Sequence, residues 1–341
     1  MIFKTIKLEP NGFRLVDLSP RQQQHEHQYL EALYTAANSM VANPFYSKYF
    51  CREGIVSADR KAAAGNIEYG FCQALHGEES AVAAWRAIVG QGNPEPVTLG
   101  IFSPEFTVAR PSNPCGNCRD IMRDEFGSAE LEIVRGRPDG EVAVVVPLAY
   151  YLFDDYDRLV ARGELSSASK AHGELRNARK ALWDTFYGGR AIENDAYSPK
   201  NVNLLRRYYV RIDTASGQYL GAHDVMSDYH PLYALRDAVR QVRRENDITT
   251  GLTAIYVICC GDGTLPPDVM YKDRQHLLEL NLQTELVDGR ESDPPIYLGT
   301  MAEGDLTGMW RTSAKKWLPF PFTARNFMDL QEMTNYFSRG L

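Results

Sequence analysis

Two short stretches carry side chains that could do chemistry together. His76-Gly77-Glu78-Glu79 opens an alanine-rich run, and Pro114-Cys115-Gly116-Asn117-Cys118-Arg119 opens another. One imidazole and two thiols make three ligands of the kind zinc prefers. That is one fewer than a closed structural site needs, so the fourth position is left for water, which is the form of a catalytic centre. Glu78 lies two positions beyond His76, close enough to stand beside a metal in the first helical turn without ligating it. A carboxylate there can take a proton from water and return it to a ring nitrogen and a departing amine. Both stretches read as helix starts, whose unpaired N–H groups and dipoles favour thiolate and carboxylate anions.

Cys115-x-x-Cys118 taken alone also fits a structural zinc knuckle or a redox pair. The chain holds no second C-x-x-C to complete a knuckle, and His76-x-Glu78 suits neither alternative. Cys72, four residues before His76, is a rival ligand that reads better as a small core residue. His172-Gly173-Glu174 repeats the first motif but follows the cysteines and has no partner pair, so it reads as chance. His25 and His27 flank Glu26; residues two apart on a helix do not face each other, and a solvated face is the plain reading.

The elements that must position these groups follow from periodicity. Residues 1–18 look like an extended arm, and Ser19-Pro20 then starts a helix whose apolar residues Leu30, Leu33, Tyr34, Ala37 and Met40 recur until Asn43-Pro44. From His76, the residues Ala81, Val82, Trp85, Ile88 and Val89 keep helical spacing to Gly90. Val97–Phe102 reads as a strand, Ser103–Asn113 as the loop delivering the cysteines, and Ile121, Met122 and Phe126 as a buried helix. Leu131–Val134 and Glu141–Leu148 follow as strands, the second a buried edge. Two helices are then expected, Asp154–Arg162 and Ser166–Tyr187, the latter stopped by Gly188-Gly189.

With 341 residues, the prior of roughly 100 to 200 residues per domain points to two domains. A formal charge of -7 argues against a broad nucleic-acid surface, although a local basic groove survives such an average. The start, MIFKTIKLEPNGFRL, lacks an apolar core of the signal-peptide kind. No run approaches the roughly 18 apolar residues of a membrane span, so a cytoplasmic protein without a membrane partner is expected. The six cysteines show no disulfide-framework spacing, which fits a reducing compartment. Cys259-Cys260, on an apolar stretch, read as core packing.

The motif order resembles the zinc-dependent cytidine deaminase family, for which H-x-E followed by P-C-x-x-C is a known mark. That family carries a P-Y-S-x-F-like segment, then N-x-E, then H/C-A-E, then P-C-G-x-C-R. Here Phe45-Tyr46-Ser47-Lys48-Tyr49, Asn66-Ile67-Glu68, His76-Gly77-Glu78 and Pro114-Cys115-Gly116-Asn117-Cys118-Arg119 stand in that order. The resemblance implies a three-layer α-β-α fold, Zn²⁺ on His76, Cys115 and Cys118, and Glu78 as proton shuttle. It implies further that Asn66 and Glu68 hold ribose hydroxyls, that Tyr49 stacks on the base and that Gly77 lines the pocket. An amide and a carboxylate two apart on a strand point the same way, which suits a grip on a diol. One departure is Phe50-Cys51-Arg52-Glu53-Gly54, where the family has a small apolar strand; charges at Arg52 and Glu53 would recruit a group that plain cytidine lacks. Arg119 is expected to orient a cysteine sulfur.

Beyond residue 190 the chain echoes its first part. Tyr197-Ser198-Pro199-Lys200, Gly221-Ala222-His223-Asp224 and His230 recur at offsets of about 151 to 156 residues. On that register Leu232 replaces the acid, and Asp268 and Tyr271 replace the thiolates. Trp317–Phe322 resembles the segment that ends such domains. The expected architecture is α/β in two tandem copies: an arm and helix (1–42), a catalytic zinc domain (43–150), a helical linker (151–190) and a degenerate copy without ligands (191–341). A homodimer is implied by the same resemblance. The expected activity is hydrolytic deamination of cytidine, deoxycytidine or a related cytosine nucleoside. The alternatives are deamination of a modified nucleoside or other amino-substituted heterocycle, as in nucleoside-antibiotic metabolism, and a non-enzymatic sensor or scaffold that keeps zinc.

Overall fold

A computed structural model describes residues 2–9, 12–17, 37–44, 48–57, 60–70, 73–90, 98–107, 112–126, 131–138, 142–152, 156–161, 173–192, 207–225, 231–245, 250–289 and 291–318. Outside them lie most of the helix expected over 20–42, with His25 and His27, and also Phe45–Ser47, Cys72, His172, Tyr197–Lys200, His230 and Pro319–Phe322. The chain forms two compact units, Met1–Phe153 with Phe320–Met333, and Asp154–Pro319 with Thr334–Leu341. Both are mixed α/β. Among the described residues no helix is long and apolar enough to cross a membrane.

In the first unit the elements run β1 (Ile2–Glu9), β2 (Gly12–Asp17), β3 (Arg52–Val56), β4 (Lys61–Gly65), β5 (Ile67–Gly70), β6 (Gln73–Leu75), α1 (Gly77–Val89), β7 (Thr98–Phe102), α2 (Gly116–Phe126), β8 (Glu132–Gly136), β9 (Val142–Pro147) and α3 (Leu148–Tyr151). Seven strands make one sheet in the order β2-β1-β9-β8-β7-β3-β4. β7 and β8 are parallel, which requires a crossover, and α2 is that crossover. Two expectations are corrected. Residues 2–9 and 12–17 are antiparallel strands, and β1 also runs parallel to β9, so they are part of the sheet. For the same reason β9 lies between β8 and β1 and is no edge.

Helices α1 and α2 lie on one face of this sheet. Ala81, Val82 and Trp85 of α1 and Met122 of α2 pack with Ile55, Leu99, Ile101 and Ile133 in one core. Alternation on the strands and helical spacing on α1 bring these side chains to a common interface. Burying a residue of this size stabilises by roughly 1.5–3 kcal/mol against leaving it exposed. That layer holds the two helix starts in place.

The second unit runs β10 (Asp157–Val160), α4 (Gly173–Ile192), β11 (Tyr208–Thr214), β12 (Gln218–Gly221), β13 (Asp224–Val225), β14 (Pro231–Leu232), α5 (Ala234–Arg244), β15 (Leu252–Cys260), α6 (Tyr271–Asp288), β16 (Pro295–Ala302), β17 (Asp305–Ser313) and α7 (Ala314–Trp317). Its sheet has the order β10-β17-β16-β15-β11-β12. Helices cover both faces: Ile255, Val257 and Cys259 meet α5 and α6, whereas Ile258 packs with Ala178, Leu182 and Phe186 of α4. Where a helix was expected over 154–162 the chain forms strand β10, paired with β17. The glycines expected to stop a helix at 188–189 lie inside α4. A Cβ on Gly189 would run into the Tyr209 ring, so close packing on the sheet accounts for glycine there. Cys259 is fully buried, in keeping with a packing role.

β12-β11-β15-β16-β17 repeats the order and the strand senses of β4-β3-β7-β8-β9. The helices between these strands also come in the same order. α5 is capped by Tyr233 as α1 is by His76, and α6 is capped by Met270 where α2 is preceded by Cys115. Leu235 lies in the first turn of α5, Met270 caps α6 and Asp273 lies in the first turn of α6.

Candidate metal centre

His76 caps α1, with its carbonyl accepting from the Ser80 N–H at 3.1 Å, and its own N–H donates to the Glu79 carboxylate at 3.1 Å. These two backbone bonds fix the start of α1 at His76. Cys115 precedes α2 and Cys118 sits in its first turn, so their spacing places both sulfurs on one side of the helix start. His76 Nδ1 lies 3.1 Å from Cys115 Sγ and 3.3 Å from Cys118 Sγ, and the sulfurs are 3.4 Å apart. They are far too distant for an S–S bond of about 2.05 Å.

The donor set fits a zinc ion. Zn–S of about 2.3 Å and Zn–N of about 2.0 Å give tetrahedral edges of about 3.5 to 3.8 Å, a few tenths longer than those seen. Among the described residues these three form a group able to hold a metal, with all ligand atoms within 4.8 Å of one another. Cys115 and Cys118 are buried and His76 is half-buried.

Burial and mutual contact shift all three groups from their usual ranges. The Cys118 sulfur and then the His76 ring hold the Cys115 thiol well below its usual range. Burial and the Cys115 charge push Cys118 well above it. The hydrogen bond with Cys115 raises His76 to about 10. A metal taking these atoms as ligands displaces their protons. Glu78, 7% exposed, is pushed up to about 7, first by burial and then by Cys115.

The cysteine loop is braced from several sides. The Tyr49 hydroxyl donates to Ser112 Oγ at 2.8 Å, and the Arg135 guanidinium and the Tyr151 hydroxyl both donate to Asn113 Oδ1. Arg119 is fully buried; its Nε donates to the Pro114 carbonyl at 2.9 Å and its NH1 to the Tyr151 carbonyl at 3.2 Å. Arg119 thus holds the turn that carries Cys115. Reading the sequence passed over Arg135, Asn113 and Tyr151. Arginine in the apolar run Ile133-Val134-Arg135 was the available signal.

The other expected residues are placed as follows. Asn66 lies between β4 and β5; its Oδ1 accepts from the Cys51 N–H at 3.0 Å and its Nδ2 donates to the Tyr49 carbonyl at 2.7 Å. Asn66 therefore ties down the segment bearing Tyr49. Glu68 is in β5, half-buried, with its N–H on the Asn43 carbonyl. Gly77 is buried at the start of α1. Arg52 and Glu53 are separated by strand alternation: Arg52 donates to Asn38 Oδ1 at 3.3 Å, whereas Glu53 lies against Gly77 on the face toward α1. Glu53 is 0% exposed and neither carboxylate oxygen has a hydrogen-bond partner. The Cys51 thiol, a weak donor on the same face, leans on it. Burial and the neighbouring Glu78 push its carboxyl well above the usual range.

No family model matches the chain, and no curated protein does. Among solved structures, cytidine deaminase from Burkholderia pseudomallei is similar at 21% identity over 36% of this chain and 92% of that one, with a TM-score of 0.29. Cytidine deaminase from Mycobacterium tuberculosis is similar at 23% identity over 32% of this chain and 89% of that one, TM-score 0.27. That from Mycobacterium leprae is similar at 23% identity over 36% and 93%, TM-score 0.26. At such scores the likeness bears no weight.

Proposed function

We propose that the chain is a zinc-dependent hydrolase that deaminates a cytosine nucleoside or a closely related amino-substituted heterocycle. The observation that supports it is the convergence of His76 Nδ1 and two sulfurs within 3.4 Å of one another, with Glu78 adjoining in the first turn of α1. Three ligands leave one position open, and zinc bound to them supplies the Lewis acidity that makes water reactive near neutral pH.

The chain's own groups do the rest. Glu78 takes a proton from the attacking water and passes it to the ring nitrogen beside the reacting carbon. It then carries a second proton to the exocyclic amine. A C–O bond forms, the C–N bond breaks, and ammonia leaves as the ring keeps a carbonyl and an N–H. The buried setting of Glu78 suits a group that must both accept and donate. Tyr49 flanks the base on this reading. Asn66 spends one donor and one acceptor on the backbone and keeps one of each for a sugar hydroxyl, with Glu68 beside it and Arg52 at the rim.

The second unit is read as a copy that has lost the chemistry. Tyr208 N–H reaches the His223 ring at 3.3 Å as Cys51 N–H reaches the Asn66 amide. Arg274 donates to the Val269 and Trp317 carbonyls as Arg119 does to those of Pro114 and Tyr151. Where the metal ligands would be, Asp273 accepts from Arg236 at 2.8 Å and from the Tyr208 hydroxyl at 3.2 Å. An ion pair replaces the metal as the link between two helix starts.

The test is Glu78→Gln. It should retain one zinc per chain by elemental analysis and lose turnover by about 10²-fold or more in an ammonia-release assay. Undiminished ammonia release would sink the mechanism, and a wild-type protein that binds no zinc would sink the reading altogether.

A further inference from the structure

We propose that Glu53 selects the substrate: its carboxylate receives an N–H of the bound molecule, so the site takes a heterocycle with a second N–H donor near the amino group that is removed. This rests on the deaminase reading of the triad and narrows it.

Glu53 is out of place by every rule of packing. Cys51 and Ile55, its neighbours on the same face of β3, belong to the apolar core, and Glu53 is as buried as they are. Among the described residues neither oxygen meets an N–H or O–H donor, and the weak Cys51 thiol leans on the group. Burying a carboxylate unpaired is expensive, and such violations of satisfaction concentrate at functional sites. The fold also makes room for it. A Cβ on Gly77 would collide with the Glu53 carboxylate. The backbone of Gly77 is not in the left-handed region, so glycine is needed there for space alone. Gly77 stands between the ligand His76 and the acid Glu78. The carboxylate therefore abuts the backbone between the ligand His76 and the acid Glu78.

The chemistry of the partner follows. In its ionised form the Glu53 carboxyl only accepts hydrogen bonds, and an N–H brought by the substrate is the partner that favours that form. Cytosine offers one exocyclic amino group, which is the group removed, and otherwise ring acceptors. A ring with two amino groups, or an amino group beside a ring N–H, keeps a donor for Glu53 throughout the reaction. A site built to hydrogen-bond such a group rejects analogues that lack it.

The test uses the full zinc-loaded chain as wild type, Glu53→Gln and Glu53→Ala. Both variants remove a buried carboxyl that no N–H or O–H donor satisfies and should fold, which circular dichroism and zinc content confirm. Ammonia release is followed with cytidine, 2,4-diaminopyrimidine and guanine, and binding of 2,4-diaminopyrimidine by calorimetry. The wild type should favour the two-donor rings over cytidine, and the ratio of kcat/KM values should fall by about tenfold or more in both variants, mainly through KM. A preference for cytidine, or a ratio unmoved by the variants, overturns the assignment. A change in zinc affinity with an unchanged ratio also overturns it, because Glu53 then serves the metal's charge. If no compound yields ammonia despite bound zinc, the deaminase reading fails and Glu53 is judged by calorimetry. Binding about tenfold weaker in Glu53→Ala upholds its selecting role, and equal or absent binding ends it.

Discussion

The carboxylate of Glu53 occupies the space beside Gly77 that the Cβ of any other residue would need. Gly77→Ala should therefore overpack the start of α1, costing about 1–3 kcal/mol. Glu53→Ala in the same chain should recover most of that loss. Thermal unfolding of the two single variants and the double variant would show favourable coupling. Additive losses would mean that the two residues do not meet.

Removing the metal should loosen the first unit alone. The triad joins the starts of α1 and α2, whereas Asp273 with Arg236 and Tyr208 joins the starts of α6 and α5 without one. After chelation, hydrogen exchange should speed up in residues 76–89 and 115–126 and stay unchanged in 233–244 and 270–288. Equal loss in both sets would refute this division of labour.

Arg119→Ala and Arg274→Ala form a matched pair. Each removes a buried guanidinium from two backbone carbonyls and from an aromatic ring about which it is centred at 5.1 Å, Tyr151 or Trp317. Each should destabilise by about 2–4 kcal/mol, in the range of a broken buried network. Only Arg119→Ala should weaken zinc binding, by about 10- to 100-fold, since it alone braces a ligand. Competition with a fluorescent chelator would measure the difference.

The second unit should weaken in mild acid. His276 is held down to about 4, first by burial and then by Arg236, Arg243 and Arg240 of α5 and Lys272 of its own helix. Glu279, 3.9 Å away, acts in the opposite sense. In the unfolded chain a histidine titrates near about 6.5. As pH falls from 6.5 to 4 the unfolded state takes up the proton first, so stability present above 6.5 is lost across that window. His276→Gln should flatten the fall in melting temperature between those values. An unchanged slope would remove His276 from the account.

Much of the candidate centre could be read along the chain. His76, Glu78, Cys115 and Cys118 announce themselves because ligand chemistry needs particular atoms at short local spacing, and local spacing survives into the fold. Strands β7, β8 and β15 and helices α1 and α2 were legible because their apolar periodicity is strong. Less could be read where neighbours decide. Strand β10 forms because β17 offers it an edge, and where breakers were expected Gly188 makes room for the Leu220 side chain and Gly189 for the Tyr209 ring.

What the order of residues determined alone is the chemistry on offer: three soft donors, one acid, a mixed α/β chain and an acidic balance. Only the tertiary structure decided which atoms meet. It brought His76 Nδ1 to the two sulfurs across 39 and 42 positions of chain, turned Arg52 and Glu53 to opposite sides, and engaged Asn66 with the backbone of residues 49 and 51. It also paired Asp273 with Arg236 between the starts of α6 and α5. Side-chain identity is a local property, whereas burial, partnership and an unmet hydrogen bond belong to the packed whole, and the carboxylate of Glu53 becomes conspicuous only there.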